Sequence, residues 1–202
     1  MKTLYKVVFL VVLACPFYGF AQQPKLNIRF LTGVNARSFV YKSEGLAPDV
    51  LAGWQLGGGL RVSKRRAFVN ADVLFVNSGL TLIPEQAPGL EDDLTLELRA
   101  MEIPLSMGYI PVKTPLFKWF LYGGLANRIN IKAKLTYQGE TTKFKPQEVG
   151  LHAYGLGVRF GTQVDLAIFT FDFNYTIGVT NAYKDVIRTN SNEIQLSLGL
   201  VF

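Results

Sequence analysis

From Leu26 onward, apolar side chains recur at every second residue. Leu26, Ile28, Phe30, Val34 and Ala36 share a parity with Thr32, whereas Asn27, Arg29, Gly33, Asn35 and Arg37 occupy the other, interrupted only by Leu31. Alternation of this kind gives a β-strand one greasy and one polar face. The same period runs through Trp54 to Val62, Ala67 to Phe75, Met101 to Tyr109, Trp119 to Ile131, Tyr154 to Phe160, Phe169 to Val179 and Ile194 to Phe202, with Asn127 the misfit in the fifth run. The pattern predicts eight strands.

Their connections alternate as well. Residues 41–52, 79–93, 136–149 and 181–191 are long and polar, whereas 63–66, 111–116 and 161–167 are short. An even number of strands of about 10 residues, with short turns at one rim and long loops at the other, is the plan of an outer-membrane barrel. The expected fold class is therefore all-β: an eight-stranded antiparallel up-and-down transmembrane β-barrel with both termini at the short-turn rim.

Charge decides which face meets lipid. The greasy parity carries no charged residue, while the other holds Arg29, Arg37, Arg61, Asp72, Glu102, Arg128, Lys132, Lys134, Arg159, Asp172 and Glu193. A Lys or Arg facing lipid at mid-depth costs ~2–4 kcal/mol, so the uncharged side is expected outside and the ionic side in the lumen. A soluble barrel around an apolar cavity has the same alternation with the faces exchanged. Eight strands enclose little more than side chains, however, and two Trp with many Phe, Leu and Ile would overfill that interior. Trp54, Trp119, Tyr109, Tyr154, Phe169 and Phe202 fall toward strand ends, where interfacial aromatic girdles belong. In the fourth run Leu94, Leu96, Leu98 and Ala100 are even, yet the greasy parity turns odd from Met101. That switch predicts a bulge near Ala100 and Met101 with two neighbours facing one way. Pro104, lacking an N–H, is expected to break the ladder locally.

Composition narrows the function. Of 202 residues 49% are hydrophobic and only 18% charged, which excludes disorder. Residues 1–21 read as a signal peptide: basic Lys2 and Lys6, an apolar run from Val7, and small Gly19 and Ala21 before the cleavage point. Residues 22–202 then form the outer-membrane β-barrel domain. Cys15, the single cysteine, falls within the leader and fits a lipoprotein site poorly, so the mature chain has no disulfide or cysteine-based centre. Removing Lys2 and Lys6 from 21 basic residues leaves a small excess over 15 acidic ones, too mild to imply nucleic acid. Past Ala21 the longest uncharged apolar-rich stretch, Trp119 to Ala126, is far short of the ~20 residues of a helical span.

Several segments resemble the small outer-membrane β-barrel proteins of Bacteroidota that include the PorT-like proteins. They are Phe20-Ala21-Gln22-Gln23, Met101-Glu102-Ile103-Pro104-Leu105, Gly155-Leu156-Gly157-Val158-Arg159-Phe160, Phe171 to Asn181 and Leu196-Ser197-Leu198-Gly199-Leu200-Val201-Phe202. The resemblance implies packing and assembly features, with Phe202 similar to the terminal signal read by the barrel assembly machinery. It also permits a role as an accessory factor of type IX secretion, although the chain is shorter than typical PorT.

The residues offer little catalytic chemistry. His152 is the single histidine, so a lipid-modifying enzyme would have to draw its base from it. Its parity with Tyr154 and Leu156 instead points it at lipid headgroups near the loop rim. Gly57-Gly58-Gly59 and Gly155-x-Gly157 lie inside predicted strands and open no helix, unlike phosphate loops. They leave room for bulky lumen neighbours such as Arg61 and Arg159. Buried charges persist when paired, so the lumen set is expected to be a static plug rather than a pore. Lys64, Arg65 and Arg66 form a basic turn at the inner rim. Lys143, Phe144 and Lys145 adjoin Lys132 and Lys134, a basic and aromatic mixture suited to anionic lipopolysaccharide, unless Glu91, Asp92 and Asp93 pair with it. The reading is a non-enzymatic barrel without cofactor or metal. Its expected partners are outer-membrane lipids and lipopolysaccharide, the barrel assembly machinery during insertion, and an unidentified envelope protein.

Overall fold

The computed structural model describes residues 24–41, 50–82, 94–137, 140–145, 148, 152–181 and 189–202. The expected signal peptide and the acidic stretch Glu91, Asp92 and Asp93 lie outside these residues. The strands are β1 (Lys25–Tyr41), β2 (Val50–Lys64), β3 (Ala67–Leu82), β4 (Leu94–Lys113), β5 (Phe117–Tyr137), β6 (Glu140–Phe144), β7 (Tyr154–Leu166), β8 (Phe169–Gly178) and β9 (Thr189–Val201). Each hydrogen-bonds antiparallel to its neighbours in the order β4-β3-β2-β1-β9-β8-β7-β5, and a β4–β5 pairing closes the ring. This is the expected eight-stranded up-and-down barrel, with β6 added outside the ring. Closure leaves the eight ring strands no free edge, so each of them finds two partners.

Two turns are tighter than the sequence suggests. Arg65 and Arg66 join β2 to β3, and Ala167 and Ile168 join β7 to β8, with Arg65 at φ 52° and Ala167 at φ 55°. Positive φ at the first position of a two-residue turn matches the twist of a hairpin. These non-glycine residues accept it, so residues 161–166, expected as turn, are strand instead. The segment 136–149, expected as loop, also carries a strand. β5 runs on past its contact with β7, and β6 takes up the exposed edge from Ala133↔Phe144 to Tyr137↔Glu140.

A register shift does fall at Arg99 and Ala100, but the extra residue is on the neighbouring strand. Arg99 pairs with Lys132 and Ala100 with Asn130, leaving Ile131 unpaired. β4 therefore keeps its parity: Leu98, Ala100 and Glu102 all point inward and are buried. β5 changes parity instead. Ile131 and Lys132 both face out, and beyond them Ala133 faces in. Lys132 and Lys134, expected in the lumen, thus stand on the outer wall. Pro104 interrupts the ladder as predicted, since β3–β4 pairing jumps from Ala71↔Leu105 to Leu74↔Glu102, while Pro104 retains Ala126 on the other side.

The outer wall is apolar around the ring, with Phe30, Leu56, Phe75, Met107, Leu125, Phe160, Phe171 and Leu198 among its exposed residues. Tyr109, Trp119, Phe169 and Phe202 ring the inner end, and Trp54 and Tyr154 stand toward the outer end. Asn127 and Trp119 on this wall are paired locally: Asn127 Oδ1 accepts from Tyr154 Oη at 2.7 Å, and Trp119 Nε1 donates to Thr162 Oγ1 at 2.8 Å. Such pairing is what a hydrocarbon surrounding demands. No described helix is long and apolar enough to cross a membrane; the strands cross it.

Candidate functional site

Inside the ring the polar parity converges. Arg29, Arg37, Arg61, Asp72, Glu102, Arg128, Arg159, Asp172 and Glu193 are all buried there, as the alternation required. The structure adds Asp165, so among the described residues the buried charges are five arginines against five carboxylates. A neutral interior is what a low-dielectric space tolerates.

The pairs form layers along the axis. Nearest the inner mouth, Arg61 Nη1 donates to Asp165 Oδ2 at 2.5 Å and Nε to Asn70 Oδ1 at 3.2 Å. The Arg61 guanidinium lies 4.2 Å over the Phe120 ring, a favourable cation–π arrangement. One layer up, Arg29 grips Asp72 with Nη2 to Oδ2 at 2.6 Å and Nε to Oδ1 at 3.2 Å, and Arg29 Nη1 donates to Gln163 at 2.7 Å. This fork matches the planar guanidinium to the carboxylate. Asp172 has no arginine within ion-pair distance; Tyr122 Oη donates to it at 2.8 Å and Asn174 Nδ2 at 2.9 Å.

The outer half is one connected network. Arg159 donates to Glu102, to Gln195 Oε1 at 3.0 Å and to Thr176 Oγ1 at 3.2 Å. Arg128 holds Glu193 through two bonds of 2.6 and 3.1 Å and lies 3.5 Å from Glu102. Gln195 bridges Glu193 and Glu102 at 3.0 and 3.3 Å. Arg37 reaches Ser191 Oγ at 3.0 Å near the outer mouth.

Small residues make this density possible. Gly59 sits across from Asp72, and a Cβ there would fall 2.1 Å from Asp72 Oδ1. Tyr122 lies over Gly161, where a Cβ would meet Cζ at 2.3 Å. Of the glycines singled out in the sequence, Gly57 faces Leu74, Gly59 faces Asp72 and Gly157 faces Thr176, rather than the expected Arg61 and Arg159. Two apolar clusters complete the filling, Leu31 with Leu74 and Val76, and Phe68 with Ile110, Phe120 and Tyr122. A cavity of about 10 Å³ lies between the Arg29 and Arg159 layers, the space of a single water. A cavity of about 40 Å³ opens at the outer mouth beside Arg37, Arg128 and Glu193.

Gln163 and Asp165 escaped the sequence reading because their segment was assigned to a turn. They continue the parity of Arg159, which was the available signal. Gln195 and Tyr122 also hold the inward parity but are uncharged, and a census of charges passes over them. His152 borders the outer mouth and offers its backbone carbonyl to Asn130 Nδ2 at 2.7 Å. Phe202 is exposed on the outer wall, stacks edge-on with Phe30 at 6.5 Å, and closes the ring through backbone bonds to Ile28. Among the described residues no group of three or more His, Cys, Asp or Glu could hold a metal ion.

A lipid-facing ring around a neutral side-chain core is the architecture of a bacterial outer-membrane protein, and residues 20–184 match the family model described as outer membrane protein beta-barrel domain. The chain belongs to that family. Its seat is the cell outer membrane. Among solved structures, neisserial surface protein A shares 12% identity with this barrel at a TM-score of 0.52, covering 90% of this chain and 100% of its own. Ail, the attachment invasion locus protein of Yersinia pestis, in complex with the heparin analogue sucrose octasulfate, shares 12% identity at a TM-score of 0.50, covering 88% of this chain and 99% of its own. These likenesses are of fold. No curated protein sequence matches.

Proposed function

We propose that this outer-membrane barrel is a non-enzymatic envelope protein whose filled lumen passes no solute and whose outer wall grips the phosphates of lipopolysaccharide. The supporting observation is a basic cluster just above the apolar band. On β4 the outward residues run Leu105, Ile103, Met101 and then Arg99; on β5 they run Leu125, Asn127, Ile129, Ile131 and then Lys132. One step further out Lys134 faces Lys143 of β6. Glu97 is shared by Arg99 and Lys134, at 3.6 Å from each, leaving the four cations in excess. Each basic residue near an anionic membrane surface is worth about 1 kcal/mol, and the bulge that turns Lys132 outward puts these charges where outer-leaflet headgroups lie.

Lipopolysaccharide retained per barrel after extraction from nanodiscs tests this. Lys132→Gln/Lys134→Gln should retain several-fold less than wild type, and equal retention would refute the contact. Presentation of the outer loops to an envelope protein belongs to the same proposal, and co-purification in mild detergent is its assay. We further propose kinship with the PorT-like barrels on the segments quoted above; a deletion that leaves type IX cargo secretion intact would remove an accessory role there. Catalysis through His152 is disfavoured in this proposal, and lipid A left unchanged by folded wild type, or turned over equally by wild type and His152→Ala, would close that alternative.

A further inference from the structure

The inner mouth carries a second concentration of positive charge that the lipopolysaccharide contact does not use. A cup of about 420 Å³ opens there on the barrel axis, among Lys25, Asn27, Ser63, Lys113 and Lys118, with Arg61 and Phe120 in its floor. Among the described residues no Asp or Glu lines it. Asp165 lies deeper, engaged by Arg61 at 2.5 Å, so one negative charge answers Arg61 and three lysines remain in excess. Lys118 stands in the positive fields of Lys25, Arg61 and Lys113, which its cross-strand neighbour Asp165 offsets only in part. Lys113 Nζ donates to the Arg65 carbonyl at 2.6 Å, which anchors its ammonium at the rim while two protons stay available.

The placement follows from the strands. Lys25 and Asn27 continue the inward parity of Arg29, Ser63 that of Arg61, and Lys118 that of Phe120. Like charges at a solvated rim ordinarily spread apart; here the closed ring forces three of them toward one axis. Arg61 Nη2 is buried and has no hydrogen-bond partner. An unmet guanidinium donor carries a desolvation cost, and the positive charge behind the floor adds to that of the three lysines. The cup's volume falls in the range of small-ligand sites.

We propose that this cup binds a small phosphate-bearing anion entering from the periplasmic side. Lys25, Lys113 and Lys118 supply charge-assisted bonds, Ser63 and the second amide proton of Asn27, whose Nδ2 also donates to the Phe202 carbonyl at 2.8 Å, supply neutral donors, and Arg61 adds positive charge from the floor. The same phosphate chemistry exists on inner-leaflet headgroups, but lipid surrounds the wall and the cup lies on the axis within it. A soluble ligand is therefore the assigned source.

The test is calorimetric titration of the mature, folded protein in maltoside micelles with inorganic pyrophosphate. Saturable one-to-one binding is expected, weakened about tenfold or more in Lys25→Gln and in Lys118→Gln, restored by Lys118→Arg, reduced by salt, and unchanged in Lys132→Gln on the outer wall. Absence of saturable heat at millimolar pyrophosphate, or wild-type affinity in Lys118→Gln, would overturn the site. A second arm repeats the titration in nanodiscs with and without an anionic phospholipid. Unchanged affinity supports a soluble ligand; loss of pyrophosphate binding in the anionic discs would overturn that assignment in favour of a headgroup.

Discussion

Neutralising Glu102 tests whether the lumen is held by its ion pairs. Glu102 is 2% exposed and is the carboxylate that answers Arg159, whose remaining contacts are the neutral Gln195 and Thr176. Arg128 keeps Glu193 at 2.6 Å, so the damage concentrates on Arg159. Glu102→Gln preserves volume and one acceptor but leaves a buried guanidinium without its hydrogen-bonded counter-charge, with only the more distant Asp172 and Glu193 to answer it. Breaking one side of a buried pair costs about 3–5 kcal/mol. Urea unfolding in phospholipid vesicles, followed by Trp54 and Trp119 fluorescence, measures the loss. Glu102→Gln/Arg159→Met restores neutrality and should be less destabilised than the sum of its single changes by about 2 kcal/mol, within the range of directly coupled residues. The exposed Arg99–Glu97 pair, 3.6 Å apart with the Arg99 side chain 59% exposed, is the control: Arg99→Gln should change stability by less than about 1 kcal/mol. A Glu102→Gln effect as small as this control, or strict additivity in the double variant, would refute a pair-stabilised lumen.

Three further outcomes follow from the geometry. Ala167→Gly should raise stability by about 0.5–1 kcal/mol, because glycine accepts the positive φ with less strain and yields back only part of that gain as unfolded-state entropy; a lower urea midpoint would contradict it. Gly161→Ala should cost about 1–3 kcal/mol by displacing Tyr122 from Asp172, with the penalty reduced in a Tyr122→Ala background to what the Phe173 carbonyl, 2.8 Å from the added Cβ, still exacts; equal penalties in both would show that Tyr122 is not the obstructing group. Planar-bilayer recordings of the wild type should show no stepwise current, and discrete conductance steps would disprove a filled lumen.

The barrel was readable because its cause is periodic and local. Hydrocarbon outside and side chains inside impose opposite chemistry on alternate residues, and that contrast survives in the order of Leu26 to Arg37 or Phe169 to Val179 without reference to partners. The buried identities of Arg29, Asp72, Glu102 and Glu193 followed from the same parity. Where parity itself broke, sequence alone misplaced residues. The switch after Ala100 was visible, but which of two hydrogen-bonded strands absorbs the extra residue is settled between them, and the structure puts it at Ile131. That choice sends Lys132 and Lys134 outward and keeps Leu98 inside. Pairings inside the lumen are likewise properties of closure. Arg61 meets Asp165 and Arg159 meets Glu102 across 104 and 57 residues of chain, distances over which no spacing rule operates. The amino-acid order thus determined the two faces of the wall, and only the closed ring decided which opposite charges share a layer, because partners across a barrel are chosen by register and shear.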